Sequence, residues 1–139
     1  MSPILIVEDR PEDSEWLLKQ LRKVCVSNPC QVVTSGNEAL KYIDGQAEYA
    51  DRTRYPFPKI LLIDLRMPGM SGFELLGEIR RRRECKEILR IAVSGLDDLD
   101  DIRGAWRSGA SFFLQKPCLP ADFEGLIQRF PAYWERVLR

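Results

Sequence analysis

The stretch KILLIDLR, residues 59–66, decides the fold of this chain of 139 residues. Ile60, Leu61, Leu62 and Ile63 follow one another with no polar residue between them and run directly into Asp64. A strand with one wet face alternates apolar and polar residues. An unbroken apolar run belongs to a strand covered on both faces, as in a parallel sheet flanked by helices. Reading outward, short apolar runs and amphipathic segments keep alternating. PILIVEDR (3–10) is a buried strand ending in acids. From Asp13 to Val24, the residues Trp16, Leu17, Leu18, Leu21 and Val24 form a helical stripe whose start Asp13 or Ser14 can cap. CQVVTS (30–35) reads as a strand, and GNEALKYI (36–43) as a short helix ending near Asp44-Gly45. After KILLIDLR come a helix in SGFELLGEIRRRRE (71–84), a strand in ILRIAVSG (88–95) and a helix in DLDDIRGAWRSG (98–109). A strand in SFFLQKP (111–117) and a helix in PADFEGLIQRF (120–130) complete the series.

Five β-α units in succession predict an α/β fold, a doubly wound five-stranded parallel sheet with helices on both faces. One domain is expected over 1–139. Two stretches exceed the minimal pattern: a long polar loop at 44–59, and residues 130–139, read as a C-terminal extension of the last helix. On such a helix Tyr133 and Val137 share a face with Trp134 beside them, which predicts a homodimer contact. The alternative is that these rings fold back on the long loop, at Tyr55 or Phe57.

Composition narrows the function. Lys+Arg and Asp+Glu number 21 each, so the basic excess of an electrostatic nucleic-acid binder is missing. The run from Arg80 to Arg83 lies among Glu78, Glu84 and Glu87 and reads as a solvated, locally paired face. No apolar run is long enough to span a bilayer, and Met-Ser-Pro leads straight into a strand without a signal pattern, so the expected location is cytoplasmic. Cys25, Cys30, Cys85 and Cys118 show no metal-ligand spacing and read as reduced thiols. The chain contains no His, which removes His-based triads and any role as a phosphohistidine donor. Covalent chemistry must then run through a carboxylate, Ser, Lys or Cys.

In an open α/β sheet, ligands bind beyond the C-terminal ends of the strands. Glu8 and Asp9, Asp64, Ser94 and Lys116 close four different strands and converge on that edge. Each alone fits a helix cap or a turn; it is their coincidence that points to a site. Clustered carboxylates remain ionised around a cation, and an all-oxygen ligand set suits Mg²⁺. A lysine and a hydroxyl nearby are the partners a transferred phosphoryl group needs, and the central Asp64 can be its nucleophile. A haloacid-dehalogenase-type phosphatase would also use a strand-end Asp, but wants a second Asp two residues on, where this chain has Arg66.

These segments resemble the receiver domains of two-component response regulators. ILIVEDRPED (4–13), LLIDLRMPGMSGFELLGEIR (61–80), IAVSG (91–95) and GASFFLQKP (109–117) carry the resemblance, which extends from about Ile4 to Phe130. It implies a flavodoxin-like strand order, 2-1-3-4-5. It implies a signalling domain rather than an enzyme, one that catalyses its own phosphorylation and dephosphorylation. Asp64 would accept a phosphoryl group from a sensor histidine kinase in a phosphorelay. Glu8, Asp9, Asp64 and the backbone carbonyl of Arg66 would hold Mg²⁺. Ser94 and Lys116 would contact the phosphoryl oxygens, and the Lys116–Pro117 bond would be cis. Ser94 and Phe113 would form the switch, the ring turning in from an exposed position on phosphorylation. Arg66 and Leu96 would modulate phosphate lifetime, with Arg66 either covering the phosphoryl group or pairing with a helix acid such as Glu74. The long loop and the AYWERVLR tail resemble the small stand-alone receivers that partner phytochrome-type kinases. A downstream protein or a phosphotransfer partner would read the switched face, with no direct nucleic-acid or membrane contact. The alternative is a receiver-like docking module that is never phosphorylated.

Overall fold

The computed structural model describes residues 1–95 and 99–137; Leu96, expected to modulate phosphate lifetime, lies outside them. The strands are β1 (Ile4–Val7), β2 (Cys30–Val33), β3 (Ile60–Asp64), β4 (Leu89–Ser94) and β5 (Phe112–Gln115). The helices are α1 (Pro11–Lys23), α2 (Gly36–Asp44), α3 (Gly72–Arg80), α4 (Leu99–Ser108) and α5 (Pro120–Arg129). All strands pair in parallel, in the order β2-β1-β3-β4-β5. β3 is central and buried at every position. Its residues alternate between two cores: Leu61 and Ile63 face α2, α3 and α4, while Ile60 and Leu62 face α1 and α5. Among the described residues no helix is long and apolar enough to cross a membrane.

Local chemistry sets the helix ends. Ser35 accepts a bond from the Glu38 amide at 3.1 Å at the start of α2, and Gly45 ends it at φ 65°. Ser71 and Glu74 form a reciprocal capping box at the start of α3. α1 begins earlier than expected and uses neither Asp13 nor Ser14 as its cap. Pro11 takes the first helical position, where its fixed φ fits and its missing N–H leaves no donor unmet.

Gly72 fastens α3 to the end of β3. Its amide donates to the Leu65 carbonyl at 3.0 Å, and an added Cβ would sit 2.5 Å from the Asp64 carbonyl oxygen. Backbone cannot yield there as a side-chain tip could, so Gly72→Ala is expected to destabilise the protein by about 1–3 kcal/mol. Gly77, mid-helix, meets nothing within 4 Å among the described residues. Gly77→Ala is therefore expected to stabilise by about 0.5–1 kcal/mol. Urea denaturation of both variants checks the pair; like-signed effects would contradict this assignment.

The long loop is held from within. It contains one 3₁₀ turn (Ala47–Ala50), and the rings of Tyr42, Tyr49 and Tyr55 pack with centroids 4.9 to 5.9 Å apart. Arg52 donates to the carbonyls of Tyr42 and Ile43, both at 2.8 Å, and so clasps the last turn of α2, where the Tyr42 carbonyl also accepts the Gly45 amide at 3.1 Å.

The C-terminal stretch corrects the expected helix extension. α5 stops at Arg129, because Pro131 disfavours helical backbone at Phe130, which adopts φ −128° and ψ 58°. After one 3₁₀ turn (Pro131–Tyr133), Arg136 bridges antiparallel to Val26. Trp134 is 8% exposed, packed in the core on the α1–α5 side, and the Tyr133 hydroxyl donates to the Glu87 carbonyl at 2.8 Å. The rings that prompted the expected dimer contact are thus engaged within the chain, Tyr133 at Glu87 ahead of β4 and Trp134 in the core, rather than at Tyr55 or Phe57, while Val137 of the same expected contact is exposed. The basic run is corrected in part: the helix ends at Arg80, and Arg82 reaches Asp44 through two bonds of 2.8 and 2.9 Å.

Candidate phosphoacceptor site

Parallel pairing brings the strand ends together. Val7 pairs with Ile63, so Glu8 lies level with Asp64; Ser94 pairs with Gln115, so Lys116 emerges beside Ser94. Lys116 donates through its amide to the Ser94 carbonyl at 2.8 Å, and its bond to Pro117 is cis. Oxygens of Glu8, Asp9 and Asp64 lie within 4.8 Å of one another. The Lys116 ammonium reaches Glu8 at 2.6 Å, Asp13 at 2.9 Å and Asp64 at 3.3 Å. Asp64, Lys116, Asp13, Arg10, Arg66 and Gly95 line an open depression of about 330 Å³. The site therefore combines a nearly buried carboxylate with an approach from solvent.

The charges do not balance. Glu8, Asp9, Asp13 and Asp64 surround a single ammonium, a net charge of −3 when all are ionised. Burial pushes the Glu8 carboxyl up to about 7; its bond to Lys116 opposes this and its proximity to Asp64 adds to it. Burial also works against the Lys116 ammonium, but its bonds to Glu8 and Asp13 and the charge of Asp64 outweigh that and hold it above the usual lysine range. Asp9 Oδ1 is buried with no hydrogen-bond partner among the described residues. An unpartnered buried oxygen inside a net-negative cluster of oxygen ligands fits a hard divalent cation.

Asp64 Oδ1 accepts the Arg66 amide at 3.0 Å. The Arg66 guanidinium lies 5.6 Å from the centre of the Phe73 ring and pairs with Asp101, while Glu74, the helix acid offered as one of its two alternatives, stays in the capping box. Ser94 is buried, and its hydroxyl donates to Asp101 Oδ2 at 3.4 Å. Phe113 is half-buried against the core on the α3–α4 side, not exposed as the resemblance implied. Asp13 and Asp101 escaped the sequence reading. Asp13 looked like a helix cap, and its place in the first turn after the acidic pair was the one available signal. Asp101 is one of several acids around the start of α4, and nothing local separates it from Asp100.

A family model described as the response regulator receiver domain matches residues 4–128. The chain belongs to the response regulator receiver family. This receiver is 25% identical over 131 residues to response regulator Rcp1 of Synechocystis sp., covering 94% of this chain and 87% of that protein. Its fold superposes on the bacteriophytochrome response regulator AtBRR with a TM-score of 0.85, at 28% identity, covering 100% of this chain and 99% of that one. The Mn(2+)-bound form of Rcp1 matches with a TM-score of 0.78, at 26% identity, covering 99% and 98%. As a receiver it is a two-component signalling domain, of a family whose members partner histidine kinases.

Proposed function

We propose that Asp64 accepts a phosphoryl group from the phosphohistidine of a sensor histidine kinase, and that the kinase is of the phytochrome type. The observation that carries this is the Asp64 carboxylate, at the rim of an open depression, within 3.3 Å of a lysine and grouped with Glu8 and Asp9. An Asp64 oxygen attacks phosphorus, the P–N bond breaks, and its electron pair returns to the kinase imidazole. Lys116 is placed to meet the oxygens of the arriving group, and Ser94 to donate to one of them once phosphorylated. Glu8, Asp9, Asp64 and the Arg66 carbonyl would hold Mg²⁺, which supplies charge neutralisation at those oxygens. The kinase type is supported by the likeness to Rcp1 and to bacteriophytochrome response regulators. The phosphorylated domain then changes the surface around α4, β5 and α5 through Ser94 and Phe113, and a downstream protein or phosphotransfer partner reads it.

Incubation with a small acyl phosphate or an autophosphorylated kinase, with Mg²⁺, is expected to leave one acid-stable, base-labile phosphoryl group per chain. Excess chelator is expected to reduce the label to background. Label that survives chelation would overturn the metal requirement. No label from either donor would favour the docking-module reading.

A further inference from the structure

We propose that Asp101 is a built-in competitor for the phosphoryl group. It occupies two donors beside the phosphoryl position, the Arg66 guanidinium and the Ser94 hydroxyl, while Lys116 stays with Asp64, and thereby ties α4 to the unphosphorylated site. This rests on Asp64 being the phosphoacceptor. Asp101 sits in the first turn of α4, yet is only 3% exposed. Acids are rarely buried unless paired, and here each carboxylate oxygen has its own partner. Oδ1 takes the Arg66 guanidinium, and Oδ2 takes the Ser94 hydroxyl at 3.4 Å. A carboxylate holding one cation and one hydroxyl satisfies the donors that a phosphoryl group would otherwise claim.

The arrangement is mechanically coupled to α4. Arg66 lies over Phe73, and Phe73 abuts Gly104 of α4 so closely that a Cβ there would meet the ring at 2.9 Å. Asp101 and Gly104, three residues apart, are therefore both seated on the β3–α3 side of the site. Arg66 is also close to the phosphoryl position. Its amide bonds Asp64 Oδ1, its side chain is 57% exposed, and it lines the same depression as Asp64 and Lys116. A phosphoryl group carries about −1.5 to −2 charge against −1 for a carboxylate, so it outbids Asp101 for both donors. Asp101 is then a buried carboxylate without a cation. Turning the start of α4 outward into water relieves that. Phosphorylation and α4 displacement are linked through this one side chain.

Beryllium trifluoride, a non-covalent phosphoryl analogue, tests the competition without chemistry. It is titrated with Mg²⁺ into the full chain. Trp106, on the exposed side of α4, is the fluorescence reporter, with Trp106→Phe as the blank. Asp101→Ala is expected to tighten binding about tenfold, or about 1.4 kcal/mol. Asp101→Asn, which keeps the volume and a weaker acceptor, should tighten it less. Most of the gain should vanish in an Arg66→Ala background. If both folded Asp101 variants bind as wild type does or more weakly, the competitor is wrong. A gain undiminished in Arg66→Ala would show simple charge repulsion instead, and also overturns it. Absence of binding by wild type would reject the phosphoacceptor reading itself.

Discussion

Asp64→Asn is expected to abolish phosphoryl uptake while leaving the fold intact. The amide has nearly the shape of the carboxylate, and its oxygen can still accept the Arg66 amide now bound to Asp64 Oδ1 at 3.0 Å. It offers no anionic oxygen to attack phosphorus, so the step that forms the new P–O bond is lost rather than slowed. Lys116 keeps Glu8 at 2.6 Å and Asp13 at 2.9 Å, so the ammonium remains paired. The substitution lowers the net charge of the acidic cluster from −3 to −2, counting Glu8, Asp9, Asp13, Asp64 and Lys116. Asp64 is also one of the groups that raise the Glu8 carboxyl, and its removal relieves that strain. Stability in the absence of metal should therefore hold or rise, and each 1 kcal/mol gained would raise Tm by about 2–4 °C. Acyl-phosphate labelling and a thermal melt of the same preparation check both parts. Equal base-labile label in wild type and Asp64→Asn would move the acceptor elsewhere.

Removing residues 131–139 is expected to cost about 5 kcal/mol, a large part of the 5–15 kcal/mol typical of a domain. Most of this comes from Trp134, since truncating a buried Trp to Ala alone costs about 3–5 kcal/mol. The segment also supplies backbone partners: the Ser27 amide donates to the Glu135 carbonyl at 2.8 Å, and the Val137 amide to the Cys25 carbonyl at 2.9 Å. Asn28, itself buried, would lose both the Tyr133 carbonyl and the Glu135 amide. Its Nδ2 keeps the Ser2 carbonyl at 2.6 Å, but its Oδ1 loses the Glu135 amide, and a buried acceptor that loses its partner costs about 1–3 kcal/mol. Urea denaturation of the intact and shortened chains gives the difference. A loss below about 1 kcal/mol would contradict the seated segment. Sedimentation separates this from the dimer contact first expected of Tyr133, Trp134 and Val137: a tail that serves association would change the sedimentation coefficient and leave the unfolding midpoint nearly unchanged.

The outcome at Arg66 shows where reading from sequence stops. Glu74 is eight residues away and Asp101 thirty-five, so proximity along the chain favours Glu74. The capping box, however, holds Glu74 at Ser71, and the packing of α4 on Phe73 brings Asp101 to the guanidinium. The C-terminal rings show the same limit. Spacing along a helix placed Tyr133 and Val137 on one face, but Pro131 ends the helix before that face exists.

What the amino-acid order determined by itself was everything that repeats locally. The unbroken apolar run before Asp64 marked a doubly covered strand. Five such runs separated by helical stripes implied a parallel sheet, and parallel strands must send their C-terminal ends to one edge. Glu8, Asp9, Asp64, Ser94 and Lys116 could therefore be gathered into one site from strand ends alone, and they lie together there. Only the tertiary structure decided which of several nearby acids joins that site. Asp13 reaches Lys116, and Asp101 takes Arg66 and Ser94. The physical reason is that a strand's period and direction are set by its own backbone, whereas the partner of a long cation is set by which helix packs beside it. That packing depends on contacts such as Phe73 on Gly104 and Trp134 in the core, which join residues far apart in the chain.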